Sequence, residues 1–333
     1  MEISLNWKRE AITATNLGPI VSLLTWIMEA AVVIAVSVKF TLSCIKSGRR
    51  NRENVALLFA TVFSIGFTVS MSLAVPNGIG RHQETLSIHQ LDTLQKALYS
   101  ADILFILVSS CVQASILVFF HDITPDSLHL KLICAIACFI ALFSISSFFV
   151  AVFPCALPQV WEVLGDRCID RLSFWESFAG VNIVIEAILL LFPAIVVYPM
   201  TMKKGRKAVV ISCFAARLMV IGAFAAQLYE AQSLKLHRLD RTFYTWKYLL
   251  TVVFVQALNI ITVCIPYMRN LLLGMESGMI QTGHFRLPSR QGTEIEIPLQ
   301  HITVNDISTN LSGSADTKLE RPTTYRGKKD DHT

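Results

Sequence analysis

The sequence predicts an all-α membrane fold, a seven-transmembrane helix bundle. Three observations lead to it. Of 333 residues, 53% are hydrophobic and only 16% charged, whereas soluble domains carry about 25% charged residues. A larger soluble core does not explain the deficit, because its surface still has to be covered. The apolar residues also gather into seven runs, each long enough to cross the ~30 Å of a bilayer's hydrocarbon as a helix. Finally, Lys and Arg fall in short clusters between runs, the pattern that sets membrane topology. Runs of this length are helices rather than barrel strands, whose alternation is shorter.

The first run, residues 17–45, begins near Leu17 and lacks a small-residue cleavage site, so it reads as a retained helix rather than a signal peptide. It carries Glu29, and "KSGRRNR" follows, with Lys46, Arg49 and Arg50. The second run, 54–75, opens beside Glu53 and Asn54. The third, 97–120, places Asp102, Ser109 and Gln113 on one helical face by their spacings of seven and four. The fourth, 130–153, is apolar throughout. The fifth, 175–200, carries Asn182, Glu186 and Pro193, again on one face, and ends in "KKGRK", with Lys203, Lys204, Arg206 and Lys207. The sixth, 208–229, holds Arg217, read as the firm cation at mid-depth. The seventh, 247–268, has Lys247 at its mouth and Gln256 and Asn259 within it.

Long connections are expected at 76–96, 154–174 and 230–246, on one side of the membrane, and tight turns on the other. The four cations after the first run outweigh Lys8 and Arg9 before it. This places the N-terminus outside and the C-terminus in the cytosol, with "KSGRR" and "KKGRK" as cytosolic basic turns. Lys235, Arg238, Arg241 and Lys247 run against the rule, but the first helix usually dominates. Residues 1–16 then form an extracytosolic segment, 17–274 the helical domain, and 275–333 a tail whose Ser, Thr, Gly and charge content reads as disordered. Its sequon at Asn310 would be unglycosylated in the cytosol.

Most of the eight cysteines lie in apolar runs and read as small buried hydrophobes. Cys155 and Cys168 differ. Both sit in the connection "FPCALPQVWEVLGDRC", where an extracytosolic location permits a disulfide. A bridge there would contribute on the order of 3 kcal/mol by chain entropy; the alternative is two free thiols.

The polar residues of the runs form the candidate site: Glu29, Asp102, Gln113, Asn182, Glu186 and Arg217. A carboxylate in lipid is costly and normally faces the bundle interior. Arg217 is expected to pair with Glu186 or Asp102, and the face of Asp102 and Gln113 to meet that of Asn182 and Glu186. One reading is a polar pocket or switchable ion pair. The other is an interhelical clamp worth ~0.6 kcal/mol per contact. Trp161 and Trp175 are expected at the membrane interface, and Pro193, Pro199 and Pro266 as kinks or exits.

From residue 153 to 229 the chain reads "FPC…W…G.RCI…NIVIEAILLLFPAIVVYPMTMKKGRKAVV". The paired cysteines with Trp161, the Asn182 and Glu186 pair, Pro193 and the basic turn resemble the fungal rhodopsin-like integral membrane family. "CIPYMRNLL" at Cys264 is similar to that family's exit from its last helix. The resemblance spans roughly residues 17–274 and implies a seven-helix protein, receptor-like or sensing. The chain departs from the family pattern at Glu53-Asn54, where an Asp pair is common. It departs also at Gln113, Gln227, Gln256 and Asn259, where charged groups often stand.

No Gly-rich phosphate loop, HExxH, paired CxxC or nucleophile elbow is present, so no enzyme and no cofactor are expected. Retinal needs a mid-helix lysine in the seventh run, and none follows Lys247. The basic clusters lack interleaved aromatics, so nucleic acid is not expected as a partner. The lipid bilayer is, with a small extracellular ligand and a cytosolic signalling partner on the receptor reading, at the plasma membrane. A non-signalling scaffold or a transport-associated protein is the alternative.

Overall fold

The computed structural model describes residues 17–46, 52–80, 86–124, 126–154, 170–197, 215–236 and 241–276. All of these lie in the first of two units, residues 1–281; the second, 282–333, contains none of them. Among the described residues there are seven helices and no strand. They are α1 (Gly18–Lys46), α2 (Arg52–Ala74), α3 (Ile88–Ile123), α4 (Ser127–Val152), α5 (Arg171–Val197), α6 (Arg217–Leu236) and α7 (Arg241–Glu276).

Six of the seven are long and apolar enough to cross a membrane; α6 over its described residues is not. The expected sixth run began at residue 208, and residues 208–214 lie outside the described part. Within α6 the helix carries Arg217, Glu230 and Lys235.

The helices close a ring. α2 packs along α3, α1 lies between α2 and α7, α6 bridges α5 and α7, and α4 packs on α3 while touching α5 only lightly. α7 also reaches α3 and α2 across the middle. Two apolar clusters fill the interior along its length. One centres on Phe67, Phe105, Trp175, Phe178 and Phe224, the other on Leu57, Val108, Ile185, Phe192 and Ile260. Large apolar side chains also cover the outside: Leu23, Ile34, Leu58, Phe139, Leu142 and Phe149 are all exposed. In water such a surface would drive association. Lipid matches it, and helices satisfy their own backbone polar groups there.

Several boundaries differ from the sequence reading. α3 begins at Ile88 rather than 97, α6 runs to Leu236 rather than 229, and α7 begins at Arg241 rather than 247. The connection expected at 230–246 is therefore largely helical in its described residues, and the one at 76–96 is helical from Ile88 onward. Hydropathy stops where charge begins, but the backbone ladder does not. A capping box starts α3: Ser87 Oγ accepts from the Gln90 amide at 3.3 Å, and the Ser87 amide donates to Gln90 Oε1 at 3.0 Å. An i,i+4 pair, Lys96 to Asp92 at 2.7 Å, supports the polar turns that follow. Asp126 caps α4, and its hydrogen bond with His129 holds its carboxyl below the usual carboxylate range. α5 runs through Pro193 to Val197, and α7 runs past Pro266, so neither proline ends its helix.

After α2 a tight turn returns the chain to the start of α1. Gly80 has φ +75°, its carbonyl accepts from the Leu17 amide, and a Cβ there would lie 2.8 Å from the Gly18 nitrogen. Both the left-handed backbone and the close approach demand glycine. Gly80→Ala is expected to cost about 1 kcal/mol or more, read as a lower unfolding temperature of the detergent-solubilised protein. An unchanged midpoint would mean that this turn can relax.

Candidate functional site: polar layers in the bundle core

The interior is not uniformly oily. Its polar residues form layers, each joining different helices. In the middle layer Gln113 on α3 donates from Nε2 to Asn182 Oδ1 on α5 at 2.8 Å. Asn182 in turn donates to the Phe178 carbonyl one helical turn back, at 2.8 Å. One turn further along α5, Glu186 accepts from Arg217 on α6, and the same Arg217 Nη1 donates to Asn259 Oδ1 on α7 at 3.2 Å. The side chains of Arg217 and Glu186 are 5% and 0% exposed, so the pair is out of solvent. Its bonding is incomplete: among the described residues Glu186 Oε1, Arg217 Nη2 and Asn259 Nδ2 have no hydrogen-bond partner. Ser109, on the face of Gln113, is buried with its hydroxyl unpartnered.

Beside this layer Glu29 on α1 accepts from two hydroxyls of α2, Ser64 at 2.6 Å and Thr68 at 3.2 Å. Gln256 on α7 donates to Ser64 at 3.1 Å.

Towards the α5 N-terminus, Asp102 pairs with Arg171, not with Arg217. The two border a half-open pocket with Tyr99, Phe174 and Trp175, and Tyr99 donates to the Val152 carbonyl at 2.8 Å. Trp175, expected at the interface, is buried. Its ring packs 5.8 Å from Phe105 and 5.2 Å from Phe178, centroid to centroid. The aromatic cluster between α3 and α5 offers it more contact than the interface would. Lys235 on α6 bonds Glu176 and Ser173 of α5, at 2.6 and 2.9 Å, which accounts for the helical continuation of α6. Gln227 donates to the Tyr248 hydroxyl at 3.3 Å.

At the opposite end, Lys39 on α1 lies 3.7 Å from Glu53 on α2, both nearly or fully out of solvent. Ser115 on α3 donates to the Glu53 carbonyl at 3.1 Å, and Cys264 of α7 is fully buried close by. Arg217 is thus not the sole buried cation. Lys39 was legible as a lysine inside the apolar "VSVKFTL" of the first run, with Glu53 as a partner across the turn. Arg171 and Tyr248 carried no such signal, standing at the ends of their runs.

The six expected polar residues do not form one network. Gln113 joins Asn182, Glu186 joins Arg217, Asp102 turns to Arg171, and Glu29 stands with α2. Four positions at which the chain departs from the family pattern, Glu53, Gln113, Gln256 and Asn259, are all buried and all bonded within these layers. Lys46 ends α1. Arg49, Arg50, Lys203, Lys204, Arg206, Lys207, Cys155, Cys168 and Trp161 lie outside the described residues. Of the cysteines that are described, Cys111, Cys134, Cys138 and Cys264 are free.

Seven helices, six of them long and apolar enough to span, with apolar exteriors and buried ion pairs, define an integral, multi-pass membrane protein. Residues 38–274 match the family model of the fungal rhodopsin domain, and the chain belongs to that family. No curated protein matches the sequence.

Proposed function

We propose that the protein is a receptor-like sensor of the plasma membrane, with its N-terminus outside and its basic turns and tail in the cytosol. The observation that carries this reading is the Glu186–Arg217–Asn259 contact. It ties three helices through a buried pair whose remaining polar atoms are unpartnered. A pair held but not saturated keeps bonding capacity that a second helix arrangement could use, which is what a two-state element requires. The Asp102–Arg171 pocket would receive a small extracellular ligand, under a connection closed by Cys155 and Cys168. A cytosolic partner would read the basic turns. Retinal has no part in this reading: Lys247 is exposed near the start of α7, its ammonium 5.9 Å from the Trp246 ring, and no lysine follows in that helix. Nor does the reading include catalysis.

The test compares cells carrying the wild type, the full deletion and Glu186→Gln, with the transcriptional response to chemical and surface cues as readout. A response lost in the deletion and in a Glu186→Gln protein that reaches the membrane supports the sensor. A response unchanged in the deletion removes it, and the polar layers then serve packing alone. Topology reporters at Ser47, Gly205 and the C-terminus check the orientation.

A further inference from the structure

Among the described residues, charge pairing leaves one buried carboxylate without a cation. Glu53 faces Lys39, Asp102 faces Arg171, Glu176 faces Lys235 and Glu186 faces Arg217. Glu29 is 7% exposed, and among the described residues it meets no Lys, Arg or His. Its Oε2 takes the hydroxyls of Ser64 and Thr68, while its Oε1 has no partner. With Glu29 ionised, the hydrogen bonds around it run one way. Gln256 Nε2 donates to Ser64 Oγ, which donates to Glu29 Oε2. That order leaves Gln256 Oε1 as a second acceptor without a donor.

Both residues line one cavity of about 10 Å³, with Thr25, Ser64 and Thr68 supplying further oxygens and Met28, Phe67, Val253 and Ala257 the apolar walls. Space of that size holds one water-sized particle. Thr25 spends its hydroxyl hydrogen on the Val21 carbonyl at 2.7 Å, so its oxygen is also turned to acceptance. Buried acceptors around one small space need a donor or a cation among them, and a buried carboxylate charge needs a positive partner.

We infer that Glu29, Ser64, Thr68, Gln256 and Thr25 form a binding site for one dehydrated monovalent cation of sodium size. A lone carboxylate neutralises a single positive charge. Divalent sites are commonly built with more carboxylates, and among the described residues no three His, Cys, Asp or Glu side chains are placed to share a metal ion. All-oxygen donors suit a hard cation over a thiol- or imidazole-seeking one. The narrow cavity favours sodium over potassium. The ligands come from α1, α2 and α7, so the ion ties these three helices together. The site is independent of the sensor reading, which rests on Glu186 and Arg217.

The test is thermal unfolding of the purified full-length protein in nanodiscs, at constant ionic strength, in chlorides of sodium, potassium or N-methyl-D-glucamine. Sodium is expected to raise the midpoint saturably, by ~3 °C or more, with a smaller rise in potassium. Glu29→Gln abolishes the rise, while Ser147→Ala, a buried hydroxyl on α4, keeps it. If Glu29→Gln does not fold, Gln256→Leu retains the carboxylate and is expected to need several-fold more sodium for the same rise. Midpoints equal in sodium and N-methyl-D-glucamine at neutral and alkaline pH would overturn the site. If they also fell together as pH rose, a protonated Glu29 would be the occupant instead. A sodium rise surviving in folded Glu29→Gln would overturn it too.

Discussion

Replacing Arg217 by leucine is expected to destabilise the bundle by about 3–5 kcal/mol, because it strands the Glu186 carboxylate with no cation in a site that excludes water. On a helical domain of this size, that is a fall in unfolding temperature on the order of 10 °C. The companion experiment separates the worth of the pair from the cost of breaking it. Glu186→Leu with Arg217→Leu removes both charges and is expected to lose much less than either single change, since a desolvated pair contributes little against a packed apolar replacement. Asn259 would lose its contact with Arg217 in both Arg217 variants, so that cost cancels between them. Equal losses in the single and double variants would mean that the pair carries net stability, and the idea of a loosely held, switchable contact would then lose its basis.

The second large effect is expected at Lys39. Lys39→Met fills the same stem volume but leaves Glu53 buried beside α1 without its cation, and a loss of about 3 kcal/mol or more follows. Adding Glu53→Leu is expected to restore most of it. Because the Lys39 side chain is 0% exposed, its amine should resist acylating reagents under native conditions and react only on unfolding. Mass-spectrometric labelling reads this directly, with exposed Lys247 as the reactive control. Rapid native labelling of Lys39 would place it in water and remove the reason for a large loss.

Both pairs show what could be read from the chain before its fold was known. Glu186 and Arg217 stood out because each interrupts an apolar run, and an ionisable group there has little choice but to face inward and find a partner. Helical spacing put Gln113 on the face of Asp102 and Asn182 on the face of Glu186, and the expected meeting of those faces is realised as the Gln113–Asn182 hydrogen bond. Asp102 could be assigned a face, but the partner its charge suggested, Arg217, is not the one it meets. Arg171 stands just before the fifth apolar run, and whether it reaches Asp102 depends on how α5 leans on α3. Lys39 gives the same kind of signal, a charge inside a membrane-length apolar run. The helices extend past their apolar runs for a different reason. Hydropathy reports where lipid is tolerated, and helix continuation through Ile88 or Leu236 is set by caps and side-chain pairs such as Ser87 with Gln90 and Lys235 with Glu176.

The sequence by itself determined the medium, the helical class and the residues too polar to face lipid, because the solvation cost of a charge or an unpaired backbone group in hydrocarbon is larger than most packing terms and acts on each residue separately. Which polar group meets which was decided only in the tertiary structure. Asp102 found Arg171, Arg217 found Glu186, and Glu29 found hydroxyls, with no Lys, Arg or His beside it among the described residues. Partner choice depends on helix rotation and depth, to a tolerance of an ångström or two. Those are properties of the packed ring of helices that no one run contains.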